Sequence, residues 1–143
     1  MKNVLASVLV LALSVSAALA QEPIAPFSVV EATIPEMQEA LRTGRVTSRE
    51  LVTQSLVRIA LYDHKLNAVM TVNRQALEEA DRLDRERAEG KIRGPLHGIP
   101  VALKDIIHTT NMPTTGGALA FADLIPPYEA TVTRNLREGG AII

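Results

Sequence analysis

The feature that most constrains this chain is a turn rich in glycine and proline that leads directly into a short apolar segment ending in lysine. Residues 94–105 read GPLHGIPVALKD, so the apolar segment runs over residues 99–103 and Lys104 follows it. Glycine and proline punctuate turns, and a short apolar run bounded by them is typical of a β-strand. The segment therefore predicts a strand that delivers one lysine at its far end.

Lys104 alone among the four lysines of the chain directly follows an unbroken apolar run. Because charged side chains are rarely buried, composition alone favours a lysine that ends the strand and reaches water along its apolar stem. In dry surroundings a lysine loses part of its preference for the charged form and can accept a proton near neutral pH. The segment by itself is compatible with both the structural role and the role of a base.

Three segments in order resemble the motifs of the amidase signature family. Residues 98–105, GIPVALKD, resemble its lysine motif, which reads G-I-P, three mostly apolar residues and then K-D or K-E. Residues 112–118, MPTTGGA, resemble its loop P-T-T-x-G-S, and residues 129–143, EATVTRNLREGGAII, resemble its helix and strand D-A-T-V-V-x-x-L-R-x-A-G-A-I-I. The resemblance extends over about residues 33–143 and is close from residue 94 onward.

This sequence departs from the family pattern at three positions. Ala118 stands where a serine is usual, Glu129 replaces aspartate and Gly139 replaces alanine. The first departure calls into question a polar contact near the site, whereas we expect the other two to be tolerated.

The resemblance implies an α/β fold, a mixed β-sheet sandwiched between helices, of which this chain contains only the N-terminal portion. It also implies an amidase that cleaves a small-molecule carboxamide to an acid plus ammonia or an amine, with no cofactor. The implied site consists of a serine, a second serine with a cis peptide bond, and Lys104. A serine hydroxyl is a poor nucleophile until a base takes its proton, and Ser–Lys sites are a known form of this arrangement. Lys104 is thus the expected base.

Neither family serine is identifiable in this sequence. Downstream of residue 20 the serines are Ser28, Ser48 and Ser55, all upstream of Lys104, and none lies in a glycine-rich serine segment or a strand-to-helix elbow. The sequence also stops three residues into a predicted strand, which would leave an exposed edge. We therefore expect a fragment that has no hydrolytic turnover alone.

Other polar residues near Lys104 indicate weaker possibilities. His97 and His108 with Asp105 match no zinc-binding spacing, so no metal site is predicted. Asp105 is expected to fix the following loop by accepting hydrogen bonds from backbone N–H groups. Gly116 and Gly117 either allow a close approach of the backbone to substrate or are plain turn residues, and the sequence leaves these alternatives open.

Residues 1–20 predict a secretory signal peptide, with Lys2 before an apolar stretch and ALA at residues 18–20. The protein is thus expected to be exported to the periplasm or secreted, with no membrane attachment after cleavage. A lead-in at residues 21–32 precedes the truncated amidase domain at residues 33–143. The formal net charge of −1 gives no indication of nucleic-acid binding, and the absence of cysteine means that stability must come from a core. The oligomeric state does not follow from the sequence.

Local signals predict the elements of this domain. Capping boxes at residues 33–36 and 47–50 predict two helix starts, the second helix running to about residue 62. The further predicted elements are a strand at 66–72, a helix at 74–90, a long loop at 106–127 with a short helix near 118–122, and a helix at 131–138. On the 74–90 helix, ion pairs are expected between Glu78 and Arg82 and between Asp81 and Arg85.

Two further functions remain open at this stage. The chain could be a non-catalytic interaction or structural module that a partner chain completes. It could also be an amidotransferase-type subunit that acts on a charged tRNA, although the export signal argues against this because that substrate is cytosolic.

Overall fold

The computed structural model describes residues 25–143, and the predicted signal peptide lies outside these residues. The elements are α1 (Ile34–Arg42), α2 (Ser48–Leu66), α3 (Ala76–Ala88), a 3-10 turn (Leu119–Phe121) and α4 (Thr131–Glu138). Strand pairing within residues 25–143 is limited to one parallel bridge between Pro100 and Ile142. The helices agree with the expected α/β class, but the mixed sheet expected from the sequence is not formed by these residues.

The starts of α1 and α2 confirm both predicted capping boxes. The Thr33 hydroxyl accepts from the Glu36 N–H at 3.4 Å, and the Glu36 carboxylate accepts from the Thr33 N–H at 2.7 Å. Thr47 and Glu50 make the same reciprocal pair at 3.1 and 2.8 Å. These pairs satisfy backbone donors that a helix start otherwise leaves without partners.

The strand predicted at residues 66–72 is wrong. Helix α2 continues to Leu66 and ends with Asn67 in a left-handed conformation, at φ 49° and ψ 43°. The Asp63 carboxylate then accepts hydrogen bonds from the N–H groups of Ala68 and Val69, at 2.8 and 3.0 Å. The β-forming residues that follow are irregular, with a bend at Met70, and have no strand partner within the described chain, because the helix end and its cap determine the local conformation.

Helix α2 packs between two apolar clusters. On one side Leu51 packs with residues of α1 and with Ile99, and on the other Val52 packs with residues of α3 and with Ile142. Ile99, which precedes the bridge residue Pro100, and Ile142, the other bridge residue, therefore enter different clusters. The first cluster contains Ala40, Leu41, Val46, Leu51 and Ile99, and the second contains Val52, Ala76, Ala80, Leu83 and Ile142.

The lead-in is attached to the side of α2. The Gln54 side chain accepts from the Val29 N–H and donates to the Phe27 carbonyl, both at 3.0 Å. Phe27 and Val29 also pack against the first cluster. These contacts place residues 27–29 against α2 and the first cluster.

Two glycines allow close packing near the bridge, one against the start of α2 and one against the turn at His97. Gly98 has φ +83°, and a Cβ atom there would lie 2.0 Å from the Ser48 Oγ at the start of α2. Gly140 has φ +90°, and a Cβ atom there would lie 2.5 Å from the Cα of His97. Both positions therefore require glycine for conformation and for space.

The charged residues of α3 contact other elements rather than each other. Asp81 pairs with Arg49 of α2 at 2.5 Å, and Glu86 pairs with Arg93 at 2.5 Å. Neither ion pair that was predicted along α3 is present among residues 25–143. No helix in this part of the chain is both long and apolar enough to cross a bilayer.

Candidate active site

An open groove with a volume of about 410 Å³ lies beside the lysine motif. Its walls are one face of α2, the irregular residues 68–73, the lysine-bearing residues 100–105, part of the following loop, and Ile142 with Ile143. The lining is mainly apolar and includes Leu56, Ile59, Met70, Val101 and Met112. Lys104 is the cationic side chain of this lining.

Hydrogen bonds to neighbouring segments fix the path of the chain towards Lys104. The Gly98 N–H donates to the Gly140 carbonyl at 2.8 Å, and the Val101 N–H donates to the Ile142 carbonyl at 2.8 Å. Downstream, the Lys104 carbonyl accepts from the Ile107 N–H at 2.9 Å. The predicted extended segment is therefore paired at its start and turns immediately after Lys104.

The Lys104 side chain is exposed, and it makes no ion pair or side-chain hydrogen bond with any of residues 25–143. The dry surroundings that a role as a base would require are not formed by residues 25–143. The reason is that alternate residues of the run face outward, with Ala102 and Lys104 exposed and Leu103 only half-buried. The groove beside Lys104 nevertheless leaves space for other groups next to the amine.

Asp105 fixes the following loop, which confirms the role predicted from the sequence. Its carboxylate accepts from the Thr115 N–H at 2.8 Å, from the Thr115 hydroxyl, and from the Gly117 N–H at 3.4 Å. Its carbonyl accepts from the Gly116 N–H at 2.8 Å. The hydrogen bonds from the Thr115 side chain and backbone hold the pKa of Asp105 below its usual range, aided by the nearby charge of Lys104.

The N–H groups of Gly116 and Gly117 are both used inside this loop. That of Gly116 donates to Asp105, and that of Gly117 donates to the Thr115 hydroxyl at 3.0 Å. Both glycines are exposed and have positive φ, at +58° and +77°. Substrate contact at these residues stays a prediction, and in this conformation it would involve their carbonyl or Cα groups rather than their N–H groups.

The two histidines near Lys104 have separate surroundings. His97 is buried, and its Nδ1 accepts from the Arg93 N–H at 3.2 Å, so its Nε2 carries the proton that is donated to the Leu83 carbonyl at 3.0 Å. Burial lowers the pKa of His97 below its ordinary value, with a smaller contribution from the nearby charge of Arg87. The ring of His108 packs edge-on against Tyr128 with centroids 5.2 Å apart. Residues 25–143 bring together no group of three metal-ligating side chains.

The three serines of the described region make no hydrogen bond to Lys104. The Ser55 side chain lines the groove, but its hydroxyl donates to the Leu51 carbonyl at 2.9 Å within α2. Ser48 is buried beneath Gly98, and Ser28 accepts from the Val30 N–H at 3.2 Å. None is placed as a nucleophile next to the amine.

Comparisons with a family model and with known proteins agree on the family of this chain. Residues 50–143 match the family model described as Amidase. A glutamyl-tRNA(Gln) amidotransferase subunit from Synechococcus sp. (strain CC9605) is 41% identical over 112 residues, which are 78% of this chain and 23% of that protein. The chain belongs to the amidase signature family.

Solved structures of amidases share this fold. The native peptide amidase from Stenotrophomonas maltophilia is 41% identical, with a TM-score of 0.76, over 78% of this chain and 23% of that one. An amidase family protein from Bacillus anthracis str. Ames is 38% identical, with a TM-score of 0.75, over 80% of this chain and 23% of that one. The chain thus spans about a quarter of the length of these relatives.

The departures from the amidase signature pattern have simple local consequences. Glu129 in place of aspartate accepts from the Arg137 guanidinium at 2.8 Å. A Cβ atom on Gly139 would make only ordinary contacts, at 3.4 Å, so glycine and the usual alanine both fit there. Ala118 is exposed and offers no side-chain hydrogen bond where the family pattern has serine.

A polar network behind the groove was missed in the sequence. Arg137 of α4 binds Glu129, Glu79 and Asn111, at 2.8, 3.3 and 2.9 Å. Asn73 then joins Glu79 to the Ile143 carbonyl, at 3.2 and 2.8 Å. Glu79 on the buried face of α3 was the one signal in the sequence, since a carboxylate among inward-facing apolar residues requires a partner. The network connects α3, α4, the loop and the far end of the groove.

Proposed function

We propose that this chain supplies the proton-accepting lysine, Lys104, of an enzyme that hydrolyses small-molecule carboxamides to an acid plus ammonia or an amine. The observation that carries the proposal is the position of Lys104, at the end of the family's lysine motif and on the wall of a groove large enough for additional groups. Family membership supports amidase or amidotransferase chemistry as the class of reaction.

In the proposed mechanism a neutral Lys104 amine takes a proton from the hydroxyl of the family's cis-bonded serine, which in turn takes the proton of the nucleophilic serine. The nucleophile attacks the amide carbonyl, and the proton then passes to the leaving amine, which departs and leaves an acyl-enzyme that water hydrolyses. Both serines would come from polypeptide other than residues 1–143. That polypeptide would also remove water from Lys104, which favours the neutral amine.

The same proposal includes the rest of the fold and its location. We propose that the bridge between Pro100 and Ile142 is the start of a mixed sheet sandwiched between helices, which further polypeptide completes. The apolar lining of the groove supports this, because an apolar surface of this kind requires cover in a folded enzyme. The signal peptide predicted at residues 1–20 supports export to the periplasm or secretion.

A chimera provides the experiment. The matched quarter of the Stenotrophomonas peptide amidase is replaced by the matched residues of this chain, and hydrolysis of a peptide amide is measured by ammonia release. The proposal predicts turnover by the chimera and none by purified residues 1–143. A folded chimera without turnover, or amide hydrolysis by residues 1–143 alone, would contradict it.

A second candidate is an amidotransferase subunit, which the 41% identity to the Synechococcus protein favours. The two functions differ in their substrates. A hydrolase releases ammonia without a nucleic-acid substrate, whereas an amidotransferase-type subunit acts on a charged tRNA. If the chimera hydrolyses simple amides and the natural protein is recovered outside the cytoplasm, the hydrolase is supported. Recovery in the cytoplasm with an RNA-dependent activity would support the amidotransferase. Recovery with no activity in any assay would instead favour the non-catalytic module completed by a partner chain.

A further inference from the structure

Two anchors hold the backbone on either side of Lys104. The upstream anchor is the parallel bridge, in which the Ile142 N–H donates to the Ile99 carbonyl at 3.0 Å and the Val101 N–H donates to the Ile142 carbonyl at 2.8 Å. The downstream anchor comprises the hydrogen bonds that Asp105 accepts from residues 115–117, which we call the loop clip. Lys104 lies between the two anchors and immediately precedes Asp105, the residue that forms the clip, in the chain.

The Thr115 part of the loop clip is shielded from water, whereas Gly116 and Gly117 are exposed. Thr115 is only 9% exposed and its neighbour Thr114 only 7%, while Asp105 itself is half-buried. Hydrogen bonds to an ionised carboxylate are shorter and stronger than neutral ones, and partial burial strengthens them further. The clip therefore connects the lysine-bearing segment to the 112–118 loop through several hydrogen bonds.

A lysine amine lies at the end of a flexible four-carbon stem, so the backbone sets the region that the amine can reach rather than a single position. The Lys104 side chain contacts no partner in residues 25–143 that would fix it, so the direction of its Cα–Cβ bond is the main constraint that this chain supplies. That direction is determined by the two anchors.

We propose that Asp105 is a positioning residue for amide hydrolysis, which orients Lys104 on the wall of the groove by tying its backbone to the 112–118 loop. This inference rests on the proposed function of Lys104 as the base. Asp105 acts here through hydrogen bonds to the loop, and it forms no ion pair with Lys104 within residues 25–143.

Substitutions can separate the hydrogen bonds of Asp105 from its charge. In Asp105→Asn, the amide oxygen can still accept from the Thr115 N–H, and the amide nitrogen can donate to the Thr115 hydroxyl, but the charge is lost. Asp105→Ala loses both. Thr110→Val is the matched control, because Thr110 is an exposed threonine of the same loop.

The first measurement is hydrogen exchange of the Thr115 amide in the full chain, because its acceptor is the Asp105 carboxylate and the measurement does not depend on activity. Asp105→Ala is expected to reduce the protection of this amide at least about tenfold, whereas Asp105→Asn and Thr110→Val retain it. Unchanged protection in Asp105→Ala would overturn the inference. Since this measurement needs no turnover, it decides whether the clip exists even if the chimera is inactive and the proposed function fails.

The second measurement is the kinetics of the same substitutions in the active chimera. For Asp105→Ala, kcat is expected to fall about 100-fold with KM changed less than about threefold, because a misplaced base slows chemistry without weakening ground-state binding. Asp105→Asn should recover to within about tenfold of the unsubstituted chimera. Three results would overturn the inference: an unchanged kcat, an increase in KM alone, or Asp105→Asn as slow as Asp105→Ala.

A second variant keeps the inference testable if Asp105→Ala does not fold. Thr115→Val removes only the hydroxyl end of the loop clip, and it is expected to lower kcat about tenfold, in proportion to the part of the clip that is lost. A folded Thr115→Val chimera with unchanged kcat would contradict the role assigned to Asp105.

Discussion

The region before the lysine motif and the region after it are stabilised by different interactions. In residues 40–99, together with residues 141–142, the buried residues are mainly apolar side chains of the two clusters around α2. In residues 100–130 the most buried side chains include three threonines, while Leu119, Phe121 and Ile125 are exposed. The first region, which we call the helical layer, is thus stabilised by apolar burial, and the second, the lysine–loop region, by hydrogen bonds.

This difference explains why the candidate site is only partly formed. The two clusters of the helical layer are formed by residues 25–143 alone and are well packed, although the outer face of α2 still exposes Val57, Leu61 and Leu66. The lysine–loop region directs its hydrogen bonds inward to Asp105 and leaves its apolar side chains and Lys104 at the surface. The scaffold of the site is therefore present, whereas the dry environment that a neutral lysine requires is not.

The largest expected effect tests this contrast with two leucines. Leu51 is 0% exposed and Leu119 is 91% exposed. Leu51→Ala should lower the free energy of unfolding by about 2–5 kcal/mol, because it leaves a cavity between α1 and the bridge region. Leu119→Ala should change it by less than about 0.5 kcal/mol. Urea denaturation of both variants provides the comparison, and equal losses would show that the two regions do not differ in packing.

The second-largest expected effect is a loss of stability when the contact between Gly140 and the turn before the lysine is disturbed. Gly140→Ala should cost about 2–4 kcal/mol, because it combines an unfavourable positive φ with a Cβ atom 2.5 Å from the His97 Cα. Gly90→Ala is the matched control, since Gly90 also has a positive φ, +76°, but a Cβ atom there would meet nothing within 4 Å. It should cost only about 1 kcal/mol. Equal losses of stability for the two variants in thermal unfolding would rule out the close approach of Gly140 to His97.

Local signals in the sequence predicted the helical layer well. The capping boxes at Thr33 and Thr47 depend on residues three apart, so the starts of α1 and α2 followed directly from the sequence. The carboxylate of Asp84 also caps α2, accepting from the Ser48 and Arg49 N–H groups at 2.7 and 3.0 Å. This second cap could not be predicted, because α3 must first pack against α2.

The candidate site was predictable only where its interactions are local in the sequence. The loop-fixing role of Asp105 followed from its turn chemistry, whereas the strand predicted over residues 99–103 is reduced in residues 25–143 to a single bridge at Pro100. The exposure of Lys104 did not follow from the sequence, because desolvation depends on tertiary neighbours. The Arg137–Glu79 pair was missed for the same reason, since its partners lie 58 residues apart.

The smallest expected effect is a pH dependence of the helical layer. Burial lowers the pKa of His97 below its ordinary 6.5, so the unfolded chain binds a proton at a higher pH than the folded chain. The free energy of unfolding should therefore be fully retained above about pH 6.5 and decrease as the pH falls from there through the lowered pKa. Since protonated Nδ1 cannot accept from the Arg93 N–H, this bond is lost in the same range.

His97→Gln provides the test of this pH dependence. The glutamine variant does not titrate, so the part of the slope below pH 6.5 that comes from position 97 should disappear in urea denaturation curves measured from pH 8 to pH 5. His64→Gln is the matched control, because His64 is exposed at the end of α2. An unchanged slope in His97→Gln would mean that His97 is not held neutral by the fold.

The central claim is that Lys104 is the base of an amidase, and its most direct test is kcat for amide hydrolysis by the active chimera with Lys104→Ala. Lys91→Ala, at an exposed lysine outside the groove, is the control for loss of charge. We expect kcat to fall at least about 1,000-fold for Lys104→Ala with the fold intact, and to remain unchanged for Lys91→Ala. A folded Lys104→Ala chimera with the kcat of the unsubstituted chimera would contradict the account.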